Sequence, residues 1–509
     1  MKAIFLALAS CCIYLTQSCW AAPNILMIAV DDLKPLLGAY GYEAVQSPHI
    51  DSLAKDGVVF TNAHCGQAVC GPSRASLLSG LRPDTTKVWD LKTRMRQANP
   101  SIVTIPQHFK DNGYETAVTG KIFDYRCVDS RYQHDAPSWS IPYRKFNNNP
   151  KSEYGHLDPA YVSKVKKIRK ELKASGKGTY KAVMEKVGGV PAYEKHMDVP
   201  DEAYDDGSIA ETGISLLKEL TKKDKPFFLA VGFKKPHLPF VAPKKYWDLY
   251  KDTNFPPPET KGLPLNAPQL AFQDSWELNG SYVTSKSNGK FDPEYENNLR
   301  HGYHACVSYI DAQIGKLMAA LKEYGVADST IVILWGDHGF HLGDHGMWCK
   351  HTNYEQATRS PLIILDPRKK FAMSKSAEPV EFIDIFPTLC EMATLKAPAS
   401  LEGKSLLPHM TQGGKHKEVA ISQFSRHSKE AKGEVMGYAY RSLTHRYVEW
   451  VANKYKKGKI ANAPRIAEEL YDYQKDPLEK VNVANDPAYA ETLAHFRKLS
   501  REMNISGAK

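Results

Sequence analysis

Four short runs of apolar and β-branched residues in this chain each end in charged or polar side chains. The runs cover residues 24–30, 116–119, 226–233 and 330–335. Continuous runs of this length indicate strands buried on both faces, as in a parallel sheet. Helical patterns lie between them, so the chain predicts an α/β sandwich in which helices cover a mostly parallel sheet. Ligands bind such sheets beyond the carboxyl ends of the strands, so the polar tails are expected to meet at one rim.

The helical patterns differ in strength along the chain. The clearest apolar stripe consists of Val307, Ile310, Ile314, Leu317 and Leu321, and a glycine at position 325 is expected to stop this helix. A shorter pattern covers residues 105–110. Residues 141–200 are polar and rich in lysine, which favours a solvated insertion over a patch that steers substrate. Residues 253–300 contain many Pro, Asn and Gly residues and predict long loops that shape a cleft.

Beyond about residue 405 the pattern changes from long apolar runs to short alternating ones. Residues 437–443 and 445–451 predict a β-hairpin, residues 469–473 a third strand, and residues 489–503 a closing helix. The chain is therefore divided into a main α/β domain over residues 23–405 and a smaller α+β subdomain over residues 406–509.

The first 22 residues have the features of a secretory signal: one lysine, an apolar run, and small residues at Ala21 and Ala22. Leu8-Ala9-Ser10-Cys11 also resembles a lipoprotein cleavage box, which would leave a lipid anchor on Cys11 instead. No other run is long and apolar enough to predict a transmembrane segment. The expected location is secreted or periplasmic.

Composition and charge narrow the class of partner. The 509 residues are 42% hydrophobic and carry a net charge of +10, so the chain can build a core and is expected to meet an anion. Nucleic acid, a membrane surface and an acidic polysaccharide all fit this charge, but no nucleic-acid-binding motif accompanies it. The nine cysteines form neither a disulfide scaffold nor a zinc pattern, although a Cys65–Cys127 pair stays open.

Two pairs of side chains that can bind a metal lie at the ends of two of the predicted strands. Asp31 and Asp32 end the first, and Asp337 and His338 end the last. Carboxylates with an imidazole suit Ca²⁺ or Mg²⁺. A helix N-cap would explain one pair alone, but two pairs at one rim favour a metal.

Two lysines are expected beside the metal. Lys121 follows a strand end, and Lys350 ends a loop rich in Gly and His. Two ammonium groups next to a divalent cation would form a pocket for a small tetrahedral anion. The alternative is that both are ordinary surface lysines.

The stretch Cys70-Gly-Pro-Ser-Arg74 opens a predicted helix over residues 73–78. Pro72 suits a first helical turn, and a helix N-terminus favours negative charge at Cys70. A structural thiol is the usual role of a free cysteine, but this arrangement is too specific for that reading.

The stretch from Cys70 to Gly80 resembles the signature of the type I, formylglycine-dependent sulfatases of the alkaline phosphatase superfamily. Residues 24–32, 120–123, 235–240 and 337–339 support this resemblance, which spans most of the chain and is strongest to the iduronate-2-sulfatase group. It implies an alkaline-phosphatase-like fold, with a mixed, mostly parallel sheet sandwiched by helices and a C-terminal antiparallel sheet plus helix. It also implies hydrolysis of sulfate esters.

The resemblance assigns a role to each candidate residue. Cys70 would be oxidised to formylglycine by a maturation enzyme that reads Cys-x-Pro-x-Arg, and the hydrated aldehyde would be the nucleophile. One Ca²⁺ would be held by Asp31, Asp32, Asp337, His338 and residue 70. Arg74 would stabilise residue 70, Lys121 and Lys350 would hold sulfate oxygens, and His237 would protonate the leaving sugar oxygen.

One position departs from the family pattern. Asp124 stands where the resemblance leads us to expect histidine, and its charge would oppose a bound anion. Either Asp124 turns away toward Arg126, or His64 or His134 takes over.

His64 and Arg426 are candidate substrate contacts. The resemblance suggests a 2-O-sulfated uronic acid, as in glycosaminoglycans, and leaves algal polysaccharides such as ulvan equally open.

Two other functions compete with a sulfatase. A phosphonate monoester hydrolase or phosphodiesterase of the same superfamily shares the fold and sometimes the cysteine motif, and relative turnover of sulfate and phosphate esters would separate them. A catalytically inactive glycan-binding relative is favoured only by the change at Asp124, and would bind glycan without releasing sulfate.

Overall fold

The computed structural model describes residues 22–429, 431, 433–452 and 464–503. Most of the predicted signal, including Cys11, lies outside these residues. Within them, every helix is too short or too polar to pass through a bilayer.

A seven-stranded sheet forms the centre of the molecule. Its strands are β1 (Asn24–Asp31), β2 (Val58–Phe60), β3 (Glu115–Gly120), β4 (Phe227–Pro236), β5 (Thr330–Gly336), β6 (Leu362–Leu365) and β7 (Lys375–Ser376). They lie side by side in the order β7-β2-β6-β5-β1-β4-β3. Only β6 runs antiparallel to its neighbours, so the sheet is mixed and mostly parallel, as predicted.

The apolar run of β1 is continuous because both faces of this strand are covered. Leu26 and Ile28 belong to the hydrophobic core on one face, whereas Ile25 and Met27 belong to the core on the other. Successive side chains of a strand point to opposite faces, so a strand between two helical layers needs apolar residues at every position.

Ten helices of the described residues are numbered here: α1 (Pro48–Asp56), α2 (Cys70–Ser79), α3 (Ile105–Asp111), α4 (Pro159–Ala174), α5 (Tyr180–Val187), α6 (Asp205–Leu220), α7 (Trp276–Ser281), α8 (Pro293–Glu323), α9 (Ile385–Met392) and α10 (Ala490–Met503). Other helices of four to six residues cover Pro83–Thr86, Met95–Ala98, Lys244–Asp248, Glu355–Thr358 and Leu407–Gln412.

The expectation that residues 253–300 are loops is only partly right. They contain α7, and α8 already begins at Pro293. Proline has a fixed φ that suits a first helical turn, and the following Glu294 lies at the positive end of the helix dipole. This start was not predicted, because the apolar stripe is clear only further along the helix.

The lysine-rich insertion folds on its own small core. Helices α4 and α5 pack through Val165, Ile168, Val183 and Val187. Its lysines at positions 164, 166, 167 and 170 are exposed, as expected of a solvated insertion.

A four-stranded antiparallel sheet and α10 make up the C-terminal region. The strands are β8 (Ala420–Ser428), β9 (Gly433–Arg441), β10 (His445–Ala452) and β11 (Arg465–Asp472), in that order. The last three and the helix match the predicted elements, whereas β8 was not predicted because its second half is polar. The proposed boundary at residue 405 stays a prediction.

Strand register brings the polar tails together. In the central sheet Val30 is level with Gly336 of β5, and Asp31 is level with Pro236 of β4. Gly120 and Gly232 are level at the ends of β3 and β4, and a Cβ on Gly120 would lie 2.0 Å from the carbonyl oxygen of Gly232. Only glycine tolerates this approach, which places Lys121 on the same rim.

Candidate active site

Helix α2 delivers Cys70 to the rim. The helix begins at Cys70 rather than at Ser73, so the whole motif is helical and Pro72 lies in the first turn. The thiol is 2% exposed, and its Sγ lies 3.5 Å from His338 Nε2. Burial, followed by the Asp31 carboxylate, raises the pKa of the Cys70 thiol well above its usual range. The effect of burial and of Asp31 therefore exceeds the stabilisation of a thiolate by the helix N-terminus, and the thiol is neutral.

Arg74 ties two strand ends to α2. Its Nη2 donates to Asp31 Oδ1 at 3.0 Å and its Nε to Asp337 Oδ2 at 2.8 Å. Its Nη1 donates to the carbonyl of Ile122 at 3.0 Å, and Trp335 lies beneath the guanidinium. A fully buried arginine with every nitrogen bonded acts here as a structural cation for the two carboxylates.

The predicted metal ligands converge. Ligand atoms of Asp31, Cys70, Asp337 and His338 all lie within 4.8 Å of one another. Asp32 reaches the same point, since its Oδ1 lies 3.4 Å from His338 Nε2.

The hydrogen bonds of this cluster fit a cation. His338 Nδ1 donates to the carbonyl of Gly339 at 2.9 Å, which directs the lone pair of Nε2 toward the carboxylates. The buried Asp32 Oδ1 accepts no hydrogen bond within the described structure. Lone pairs that face one another in a buried space repel unless a positive ion lies between them, so the donor set suits a hard divalent cation.

The two lysines lie on either side of this cluster. Lys121 pairs with Asp31, and Lys350 Nζ lies 3.0 Å from Asp32 Oδ2. Burial acts to raise the pKa of Asp31, but Lys121 and Arg74 outweigh it and hold the pKa well below its usual range. Burial acts to lower the pKa of Lys350, but Asp32 and then Glu277 raise it well above its usual range. Both lysines therefore carry charge at the rim.

His237 lies at the same rim with a partner that the sequence did not indicate. Its Nε2 is 3.2 Å from Glu277 Oε1, and its Nδ1 is 2.6 Å from the carbonyl of Leu238. Lys350 Nζ donates a hydrogen bond to the same Oε1 at 3.1 Å and lies 2.9 Å from Oε2. A single glutamate in a region expected to be loop carries no sequence signal, because its role depends on a fold that brings α7 over the strand ends.

Asp124 does turn to Arg126. The carboxylate is 2% exposed and accepts Nε at 2.8 Å and Nη2 at 2.6 Å from this arginine. Burial acts to raise the pKa of Asp124, but the bonds from Arg126 outweigh it and lower the pKa. The added negative charge is thus neutralised beside the cleft.

Two histidines, His134 and His64, could replace the histidine expected at position 124. The structure places one of them, His134, in the wall of the cleft above the strand ends, where it stacks on Tyr143. Burial lowers the pKa of His134 to about 4. His64 is buried behind the site, between Asn62 Oδ1 at 2.7 Å and Thr358 Oγ1 at 3.2 Å. His64 is not among the residues that line the described cleft, and its role as a substrate contact stays a prediction.

Arg426 is also occupied by protein groups. Its Nε donates to the carbonyl of Leu270 at 3.1 Å, its Nη2 bonds the carbonyl of His351, and it packs on Phe424. Burial lowers its pKa to about 10. Its role as a substrate contact stays a prediction.

A cleft of about 640 Å³ opens above the strand ends. Asp31, Lys121 and His237 line its floor, and Tyr125 and Tyr132 stand exposed at its edge. Its basic lining residues are Lys121, Arg126, Arg131, Lys145, Lys234 and Lys235. Four aspartates, Asp31, Asp124, Asp205 and Asp206, also line the cleft, so its lining has a small excess of basic over acidic residues. This excess and the exposed rings suit an anionic carbohydrate.

The open question about cysteine pairing has a simple outcome. The six cysteines within the described residues, Cys65, Cys70, Cys127, Cys306, Cys349 and Cys390, are all free and buried. The Cys65–Cys127 pair is therefore absent from this structure.

Comparison with known proteins is consistent with this geometry. A family model described as sulfatase matches residues 23–395, and one described as the C-terminal region of N-sulphoglucosamine sulphohydrolase matches residues 343–505. Iduronate 2-sulfatase of Homo sapiens is 33% identical, over 94% of this chain and 95% of the relative.

Two solved structures share the fold. One, solved in complex with its substrate D-glucosamine-2-N,6-O-disulfate, has a TM-score of 0.70 at 20% identity and covers 96% of this chain and 100% of its own. The phosphonate monoester hydrolase of Silicibacter pomeroyi has a TM-score of 0.69 at 24% identity and covers 96% of each chain.

Proposed function

This chain belongs to the sulfatase family and is a sulfatase, and from that premise we propose that it removes sulfate from a sugar of an anionic polysaccharide. The proposed substrate is a 2-O-sulfated uronic acid, in a glycosaminoglycan or an algal polysaccharide such as ulvan. The observation that carries the proposal is the meeting of a buried Cys70, two charged lysines and a carboxylate–imidazole cluster beneath a basic cleft.

Each residue of the rim has a task in this reaction. We propose that a maturation enzyme converts Cys70 to formylglycine and that one hydroxyl of the hydrated aldehyde attacks sulfur, so that the sugar oxygen leaves. The second hydroxyl of the hydrate then expels sulfate and restores the aldehyde. Lys121 and Lys350 bind sulfate oxygens as charge builds on them, and Arg74 holds residue 70 in register with the strand ends. His237 gives a proton to the departing sugar oxygen.

The carboxylate cluster fits one Ca²⁺, held by Asp31, Asp32, Asp337, His338 and the oxidised residue 70. When bound, the cation would polarise the sulfate and favour a deprotonated nucleophile. The orphaned Asp32 Oδ1 and the lone pair of His338 Nε2 support this assignment. Metal analysis of the purified protein distinguishes Ca²⁺ from Mg²⁺ and from transition metals.

The direct test combines the mass of the peptide over residues 69–74 with sulfate release. The protein is produced together with a formylglycine-generating enzyme and assayed on a panel of sulfated disaccharides. The expected result is that the peptide loses the sulfur of Cys70 and that sulfate is released from a 2-O-sulfated uronic acid. Cys70→Ala is expected to form no formylglycine and to release no sulfate. Formylglycine with release from other sugars alone would reject the substrate and keep the reaction. Unmodified cysteine without release would reject the proposal.

A phosphonate monoester hydrolase is the second candidate, because the fold is shared with such an enzyme. A pocket that binds a tetrahedral sulfate also accepts a phosphonate of the same shape. The ratio of kcat/KM for matched sulfate and phosphonate esters decides between them, and a ratio above one is expected here. An inactive glycan-binding protein would bind the disaccharides and release nothing, even with Cys70 fully converted.

We also propose that the protein is secreted or periplasmic. Sequencing the N-terminus of the mature protein tests this: cleavage near Ala22 supports a simple signal, and a lipid-modified Cys11 supports the anchor.

A further inference from the structure

One edge of the Arg126 guanidinium is unpaired at the cleft. Arg126 lines the cleft together with Lys121, and its side chain is 40% exposed. Its Nε donates to Asp124 Oδ1 at 2.8 Å, and its Nη2 donates to Asp124 Oδ2 at 2.6 Å. A guanidinium carries five N–H donors in one plane. Both hydrogens of Nη1 and the second hydrogen of Nη2 therefore stay available for a ligand, since they bond no group among the described residues.

The turn that carries Arg126 is fixed against the start of α2. The buried Asp124 side chain also accepts the backbone N–H of Arg126 at 3.0 Å, and the backbone N–H of Cys127 donates to the Asp124 carbonyl at 2.9 Å. Cys127 packs on the first turn of α2, because a Cβ on Gly71 would lie 2.5 Å from the Cys127 Sγ. Gly71 directly follows Cys70. Arg126 is therefore held close to the reacting position by the fold itself.

The aspartates of the cleft do not occupy this free edge. Asp31 pairs with Lys121, and Asp205 lies 2.7 Å from Lys234 Nζ. Asp206 accepts the backbone N–H of Lys234 at 2.5 Å. Within the described part of the chain, the Arg126 guanidinium pairs with Asp124 alone. Because two parallel N–H donors match the two oxygens of a carboxylate, the free edge suits a carboxylate brought by the ligand.

We infer that Arg126 is a specificity-determining residue that binds the carboxylate of the uronic acid from which sulfate is removed. The inference rests on the proposed sulfatase reaction. The two lysines of the rim hold the sulfate, and Nη1 and Nη2 of Arg126 hold the second anionic group of the same sugar. Asp124, in place of the expected histidine, positions the guanidinium by bonding its other edge. A neutral sulfated sugar leaves the free edge unpaired and is therefore a poorer substrate.

A merely structural role would limit Arg126 to neutralising Asp124. In that case replacing Arg126 would lower activity equally on every sulfated sugar. A role in recognition depends on the carboxylate of the substrate. A sugar whose carboxylate is reduced to a hydroxymethyl group therefore separates the two roles.

The experiment measures sulfate release from a disaccharide whose only sulfate is on O2 of the uronic acid, and from its carboxyl-reduced counterpart. Arg126→Met removes the guanidinium, and Arg126→Lys keeps the charge without the planar fork. Arg144→Met is the matched control, because Arg144 is 36% exposed and pairs with one carboxylate, that of Glu219, outside the cleft lining.

The wild type is expected to prefer the uronic acid by about 30-fold in kcat/KM, mostly through KM. Arg126→Met is expected to lose this preference, Arg126→Lys to keep part of it, and the control to keep all of it. Equal losses of kcat/KM on the two sugars would overturn the inference.

A second variant covers the effect of Arg126→Met on folding. Arg126→Met leaves the buried Asp124 carboxylate without its partner, whereas Asp124→Asn/Arg126→Met contains no unpaired charge. The double variant is expected to lose the preference for the uronic acid as well. A folded double variant with the wild-type preference would also overturn the inference.

Binding without turnover separates this inference from the proposed function. Calorimetry measures the affinity of the unconverted protein, produced without the maturation enzyme and with Ca²⁺ added, for both disaccharides. The wild type is expected to bind the uronic acid about 30-fold more tightly than the reduced sugar, and Arg126→Met to bind the two equally. A preference that depends on Arg126, without sulfate release by the converted protein, would refute the proposed reaction alone. No preference in the wild type would refute the inference whatever the activity.

Discussion

Replacing Arg74 by methionine tests whether this residue is the internal counter-ion of the site. Methionine has a similar length and no charge, so the change removes the guanidinium and leaves most of the packing on Trp335. Asp31 would keep Lys121 as a partner. Asp337, which is fully buried, would keep the backbone N–H of Asp32 at 3.0 Å on its Oδ1, with His338 Nε2 at 3.7 Å from its Oδ2. The variant thus leaves one buried carboxylate without its guanidinium partner.

The expected cost follows from these contacts. Removing one partner of a buried ion pair costs about 3–5 kcal/mol, because the remaining charge is desolvated and unpaired. We expect a loss near the upper end, about 4–5 kcal/mol, because Arg74 serves two carboxylates. In Asp337→Asn/Arg74→Met the unpaired charge is gone, so the double variant is expected to be more stable than Arg74→Met alone.

Urea denaturation in the presence of EDTA, followed by tryptophan fluorescence, measures these losses. Arg169→Met is the control, because Arg169, whose side chain is 39% exposed, makes a similar two-point pair with Glu153 away from the site. Its expected cost is below about 1 kcal/mol. Added Ca²⁺ is expected to restore part of the stability of Arg74→Met, since a cation bound only to the folded state stabilises it. A loss for Arg74→Met no larger than that of the control would refute the reasoning.

Three further predictions concern the departure from the family pattern, acid stability and the cation. Asp124→Asn removes the charge that holds Arg126, so the free energy of unfolding is expected to fall by about 2 kcal/mol. KM for an anionic disaccharide is expected to change more than kcat. An unchanged free energy of unfolding with an unchanged KM would show that this pair has no role. Burial acts to raise the pKa of Asp201, but Lys245 and Lys316 outweigh burial and lower this pKa to about 2. The ionised Asp201 therefore stabilises the fold above pH 4 by about 1 kcal/mol after solvent screening. This stabilisation is lost as the pH falls toward 2. Unfolding scans between pH 5 and 2 should show a smaller loss for Asp201→Asn, and equal losses would contradict this assignment. Dialysis against EDTA is expected to abolish sulfate release and lower Tm, with recovery on Ca²⁺ but not on Na⁺; full activity of a protein shown to be metal-free would rule out the cation.

Much of the site could be predicted from the sequence because its residues lie next to strong local patterns. Asp31, Lys121, His237 and Asp337 each lie at the end of a buried strand. Parallel strands share one carboxyl edge, so strand ends far apart in the chain must meet. The C-terminal hairpin was equally visible, since alternation in short strands depends only on neighbouring residues.

Only the tertiary structure determines which residues of different elements pair with one another. Glu277 lies in a region without periodicity, and it meets His237 and Lys350 only because α7 folds over the strand ends. Asp124 bonds Arg126 through side-chain rotamers that no pattern encodes, and His64 is turned into a polar network behind the rim.

The charge of Cys70 shows the same division. The motif and the helix start are local properties, and they suggested an anionic thiol. The state of the thiol depends on burial and on Asp31, a residue of another element. Sequence determines which groups are present at the rim, whereas the surrounding fold determines their solvation and partners, and therefore their chemistry.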